Sequence, residues 1–253
     1  MNYDQLSLLG ERQAVALGSH WQAGGFTADR ACSGSLQRQR RTGEHALAVI
    51  GDRAPSAFDT DPAFNEFNHT QLIRAYLPLI ADQHPELADD PHLAMRDQAV
   101  FRPVFNTVVG AWMRGEQPHT PIDETWLAFC ARCVAGLRRA AEGAERLVVF
   151  TSGGVITAVM REALGLDNAK ALDLVWKIWN ASVHEFHLHP EHGGLALAGF
   201  NDVSHLRLQR DHGLAMLFMS FLSYNPPMLT VAFAWTGLGL PLLVLLVWGR
   251  TAL

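Results

Sequence analysis

Apolar positions along the chain fall into two rhythms, one helical and one of short unbroken runs. Ser7 can cap a helix whose apolar positions include Leu8, Leu9, Ala14 and Leu17, and Gly24-Gly25 ends it. A short apolar piece, Arg30–Ser33, leads into a second helix from Ser35 to about Val49. The stretch Arg53–Asp61, with Pro55, reads as loop. Helices are predicted over His69–Asp82, Pro91–Arg114 and Ile122–Glu142, separated by connections that carry Pro and Gly. Arg146–Thr151 is a continuous apolar run of strand length. It passes straight into Ser152-Gly153-Gly154 and an apolar helix, Val155–Leu164. Ser182–Leu188 and Leu195–Phe200 alternate as strands do. Strands alternating with helices predict an α/β/α sandwich, three layers deep, on a mostly parallel sheet. No repeat or low-complexity linker interrupts it.

The pattern changes near Arg210. From Gly213 to Gly249 there is no Asp, Glu, Lys or Arg. A membrane crossing needs about 20 apolar residues, and Met228–Trp248 meets that length by itself. We therefore expect a domain over 1–208 and a hydrophobic tail over 209–253, with a transmembrane helix at 228–248. A tail joined by a shifted reading frame or a gene fusion is the alternative. Arg207 and Arg210 precede the run and only Arg250 follows it, which would keep the large domain on the cytoplasmic face of the plasma membrane. The first residues carry no secretory signal. Three cysteines, Cys32, Cys130 and Cys133, are too few for a disulfide framework and fit a reducing compartment. With a net charge of −5 and no basic block, nucleic-acid binding is not expected.

Three places could carry chemistry. Ser33-Gly34-Ser35-Leu36-Gln37-Arg38 sits where a strand hands over to a helix. The unpaired N–H groups and positive end of that helix suit a phosphate, and Arg38 could fork two of its oxygens; a solvated basic face is the other reading. Thr151-Ser152-Gly153-Gly154 follows a strand, where glycines let backbone N–H groups approach an anion, or merely make a tight turn. Glu66, between Phe64 and Phe67, could hold a raised pKa and donate a proton, or simply cap a helix. Cys130 and Cys133 have metal-ligand spacing but sit mid-helix without a partner pair. His184, His187, His189 and His192 fall on a strand and its turn, where a solvated face is expected. No metal or other cofactor is implied. Neither Gly-x-Ser-x-Gly nor a P-loop occurs.

Taken in order, these pieces resemble the histidine phosphatase (phosphoglycerate mutase-like) superfamily over roughly Asn2 to Leu206. Tyr3–Ala14 is similar to the family's first helix. Ser35-Leu36-Gln37-Arg38 with Arg41-Thr42 resembles its phosphate-site segment, and Asn65-Glu66-Phe67 the segment bearing its acid. Val148–Ile156 resembles the late strand and turn, and Asn180–Ser182 with Phe200–His205 the closing strands. The resemblance implies metal-free hydrolysis of a phosphomonoester, carried by a small molecule or a phosphoprotein. Arg38, Ser35, Ser152 and Gly153 would bind the phosphoryl group, and Glu66 would act as acid.

Members of that family attack phosphorus with the histidine of an Arg-His-Gly motif at the end of a central first strand, in two displacements. The motif would fall before Tyr3, and Ser152 stands where most members carry a second histidine. We therefore expect a chain with little or no turnover, and a sheet short of one central strand. Three accounts stay open: a start placed too late, a non-catalytic phospho-ligand or membrane-tethered interaction module, or a decayed reading frame.

Overall fold

The structure is a computed structural model that describes residues 4–84, 87, 98–189, 194–207 and 242–249. Helix α1 (Leu8–Ala23) starts on Ser7, whose hydroxyl accepts from the Gly10 N–H at 3.1 Å. It is followed by β1 (Arg30–Ser33), α2 (Gln37–Ile50), β2 (Phe58–Thr60), α3 (His69–Ile80), α4 (Gln98–Arg114) and α5 (Trp126–Ala141). The second half contributes β3 (Arg146–Ser152), α6 (Gly153–Leu164), α7 (Asn168–Val175), β4 (Ser182–Leu188), β5 (Leu195–Asp202), the single turn α8 (Ser204–Arg207) and β6 (Leu242–Gly249).

Among the described residues, six strands form one sheet in the order β2-β1-β3-β6-β4-β5. Parallel pairs join β1 to β2, β1 to β3, and β4 to β6; β3–β6 and β4–β5 are antiparallel. Side chains alternate through the sheet and so feed two cores. Ala31, Val148 and Phe150 pack with Leu17, Trp21, Ala46, Leu47 and Ile50 of α1 and α2. Cys32, Leu147, Val149 and Phe186 point the other way, into a larger core with α3 to α7. The α/β/α layering expected from the sequence is thus present, with a sheet more mixed in direction than expected.

Several expectations need correction. Phe58–Thr60, read as loop, is strand β2, in parallel register with Ala31–Ser33. Its three residues are too few to show a rhythm. Helix α7 was not anticipated; Asp167 caps it by accepting from the Lys170 N–H at 2.8 Å. His184 is not on a solvated face but fully buried, its ring 5.1 Å from that of Phe200 and its Nε2 2.9 Å from the Ser182 hydroxyl. His187, on the opposite face, is exposed, and His192 lies outside the described residues, as does the 91–97 part of an expected helix. Cys130 and Cys133 are buried, and burial pushes both thiols up, Cys130 to about 12. They pack as neutral core residues.

The hydrophobic tail needs the largest correction. Residues 242–248 do not continue a helix: they are β6, in the middle of the sheet between β3 and β4. A strand in a sheet covered on both faces takes an unbroken apolar run, the same pattern that reads as a membrane helix, and periodicity alone cannot separate the two. Residues 228–241 lie outside the described residues. No helix among the described residues is long and apolar enough to cross a membrane.

Candidate functional site

Strands β1 and β3 run side by side in parallel, so their carboxyl ends open on the same rim of the sheet. From β1 the chain turns through Gly34, whose N–H donates to the Phe150 carbonyl at 3.2 Å, and enters α2. Helix α2 has no cap of its own, since Leu36 offers no side-chain acceptor. Asp4 does that work from a distance. Its Oδ2 accepts from the Gln37 N–H at 2.8 Å, and its Oδ1 from the Arg38 N–H at 3.4 Å and the Arg38 Nη1 at 3.1 Å. The helix end expected to hold a phosphate through its N–H groups therefore already holds a carboxylate.

Arg38 is only 8 % exposed. Its guanidinium donates from Nη1 to Asp4 at 3.1 Å. Beside it, Gln39 is wholly buried and reaches across the rim: its Nε2 donates to Ser152 Oγ at 2.8 Å and to the Phe64 carbonyl at 3.0 Å. That pair of bonds ties α2 to the end of β3 and to the short turn Pro62–Phe64. Ser152 is the residue before α6, and Gly153 opens that helix with an N–H that the helix itself does not use.

Glu66 arrives from the loop after Phe64. Its Oε2 accepts from the Gly154 N–H at 3.0 Å, and its Oε1 from the Phe67 N–H at 3.1 Å. Burial raises its pKa; the Gly154 N–H, the Arg38 charge, the Phe67 N–H and the Arg132 charge oppose that rise without cancelling it. Glu66 is thus a carboxyl that keeps its proton to higher pH than usual, within the field of Arg38. His69, at the start of α3, is pushed down to about 4, first by burial and then by the Arg38 charge. It lies within the field of the Arg38 guanidinium, and it is neutral at pH 7.

Of the residues singled out from the sequence, Arg38, Glu66, Ser152 and Gly153 meet at this rim. Ser35 stands slightly apart, bonded to Asn65: its N–H donates to Oδ1 at 2.6 Å and its Oγ accepts from Nδ2 at 2.8 Å. Sequence reasoning missed three neighbours, Asp4, Gln39 and Arg132. Arg132 of α5 pairs with Glu124 through two bonds, at 2.6 and 3.0 Å, and donates to the carbonyls of Pro62 and Ala63 at 2.9 Å and of Asn65 at 3.3 Å. It holds the backbone that carries Glu66. Only Gln39 left a signal in the sequence: it falls in line with Gly43, Ala46 and Ile50 on the buried face of α2. Among the described residues, no three His, Cys, Asp or Glu side chains gather as they would around a metal ion.

Residues 105–203 match the family model of the histidine phosphatase superfamily (branch 1). The match is confined to that segment of the chain. It includes Ser152, Gly153 and Arg132 and begins after Arg38 and Glu66. Among solved structures, the chain is similar to a phosphoserine phosphatase variant from Entamoeba histolytica in complex with phosphoserine. Identity there is 15%, the match covers 77% of this chain and 83% of that one, and the TM-score is 0.48. It is also similar to a mycobacterial glucosyl-3-phosphoglycerate phosphatase in complex with inorganic phosphate, at 20% identity over 79% of this chain and 88% of that one, with a TM-score of 0.46. A third similar structure is described as mycobacterial hydrolase 2, at 19% identity over 87% of this chain and 88% of that one, with a TM-score of 0.49. No curated protein matches the chain.

Proposed function

We propose that the rim formed by Arg38, Ser152, Gly153 and Glu66 binds the phosphoryl group of a phosphomonoester, in the manner of a histidine phosphatase site. The observation that carries this reading is the Gln39–Ser152 hydrogen bond, 2.8 Å long, which brings the Arg-bearing helix to the glycine turn after β3. Arg38 supplies the positive charge, Ser152 and the Gly153 N–H supply neutral donors, and Glu66 supplies a proton for the leaving oxygen. The 253 residues contain no Arg-His-Gly, the motif that carries the nucleophile in the family the chain resembles. The reading is therefore of a site that binds phosphate esters with little or no turnover.

The test uses the full chain with phenyl phosphate and p-nitrophenyl phosphate. We expect saturable binding of phenyl phosphate, weakened about 10- to 100-fold in Arg38→Ala, since a charge-assisted hydrogen bond contributes roughly 1.5–3 kcal/mol. Release of p-nitrophenol should stay at the level of a Glu66→Gln variant. Binding that ignores Arg38→Ala would overturn the site, and turnover that depends on Glu66 would overturn the inactivity.

A further inference from the structure

Gln39 is a buried amide whose orientation can be settled from its neighbours. Its two polar ends look alike in shape, so partners decide which is which. The Phe64 carbonyl can only accept, and it lies 3.0 Å from one end, which must therefore be Nε2. The same nitrogen has a second hydrogen, and Ser152 Oγ lies 2.8 Å away to take it. Ser152 is thus an acceptor toward Gln39, and its own hydroxyl hydrogen points elsewhere. Among the described residues that hydrogen has no acceptor, although Ser152 is only 1 % exposed. The other end of the amide, Oε1, is buried without a hydrogen bond. Room for it exists only because residue 34 is glycine: an added Cβ there would overlap Gln39 Oε1 and come 2.7 Å from the Phe64 carbonyl oxygen.

A glutamine with an unpaired buried carbonyl costs stability, on the order of 1–3 kcal/mol for such a group. Its placement gains something only if the fixed serine does. We propose that Gln39 is the positioning residue of the anion pocket: by making Ser152 an acceptor on one side, it turns the hydroxyl hydrogen toward a phosphoryl oxygen on the other. The pocket then binds that oxygen with a fixed neutral donor beside the Arg38 charge. This rests on the phosphate reading given above. No bond is made or broken in the step; a hydroxyl rotor is locked.

The test is a double-variant cycle on the full chain, with inorganic phosphate as the probe. Gln39→Met keeps the length and volume of the side chain and removes the donor. Gln39→Met and Ser152→Ala should each weaken phosphate binding about 3- to 10-fold, the range of one neutral hydrogen bond. The double variant should bind no worse than the weaker single variant, because Gln39 acts through Ser152. A loss from Gln39→Met that persists in the Ser152→Ala background would mean general loosening and would overturn the proposal, as would no loss at all. Arg38→Ala separates the two ideas. If it abolishes binding while Gln39→Met does not, the pocket stands and the positioning role fails; if it changes nothing, both fail. Should Gln39→Met not fold, the Gln39 side-chain amide resonances of the parent chain serve instead. They should move in Ser152→Ala and on adding phosphate, and resonances unmoved by either change would overturn the role.

Discussion

At the scale of the residue, protonation is the quantity most exposed to test. Burial holds the Glu66 pKa above the ordinary carboxylate range. The neutral form is then the one the fold favours. Its contribution is complete in acid, below the unfolded value, and is lost as pH rises through the raised folded value. Glu66→Gln stays neutral and can still accept from the Gly154 N–H. We expect it to match the parent chain near pH 4 and to be the more stable of the two at pH 8, as read by denaturant unfolding; a difference independent of pH would contradict the burial argument. His184 behaves oppositely. Burial lowers it from 6.5 to about 3, so the unfolded chain binds an extra proton between those values and stability falls as pH drops through that window. A single such group contributes about 1.4 kcal/mol per pH unit. His184→Phe should flatten the acid limb of the stability curve by that share. Ser182, whose hydroxyl already donates to the Trp179 carbonyl at 2.6 Å, keeps a partner in that variant. Arg38, Glu66, Ser152 and Gly153 stand out in the sequence because they lie beside strand ends or aromatic residues. The bonds of Asp4, Gln39 and Arg132 do not, because their partners lie 34, 113 and up to 70 positions away in the chain.

Between elements, the close fit of loop to helix sets the geometry of the rim. Gly154, in the first turn of α6, lies against the Glu66 side chain and the Phe67 ring. An added methyl would overlap Glu66 Oε1 and stand 2.7 Å from Phe67, whose ring is locked among Phe105, Trp112 and Phe129. Gly154→Ala should therefore cost about 1–3 kcal/mol in unfolding free energy and displace Glu66. Gly165→Ala, at the left-handed end of the same helix with open space around it, meets no such contact and should cost less, about 1 kcal/mol of backbone strain. Equal losses at the two glycines would show that the contact with Glu66 is unimportant. Longer elements were readable from the sequence: α1, β3 and β4 begin and end within a residue or so of expectation. The three-residue β2 and the eight-residue α7 were not, since neither is long enough for a period to emerge.

For the molecule as a whole, the sheet is continuous only because β6 lies between β3 and β4. Leu245 pairs with Val149 on one side and with His184 on the other. A proline there removes a ladder N–H and has no place in a strand paired on both sides. Leu245→Pro should lower stability by about 3 kcal/mol or more and blunt the cooperative melt, whereas a chain that unfolds unchanged would mean that β6 does not complete the sheet. This was the least legible part of the sequence. An apolar run without charges satisfies the demands of a central strand and of a bilayer alike, and only its neighbours in space distinguish them.

The most direct measurement on the candidate site is a crystal of the full chain soaked with tungstate, located by its anomalous signal. The tetrahedral oxyanion should sit at the rim with oxygens about 3 Å from Ser152 Oγ and from the Arg38 guanidinium, and beside the Glu66 carboxyl. A tungstate bound elsewhere, with Arg38 still closed on Asp4 and the rim empty, would contradict the phosphate site.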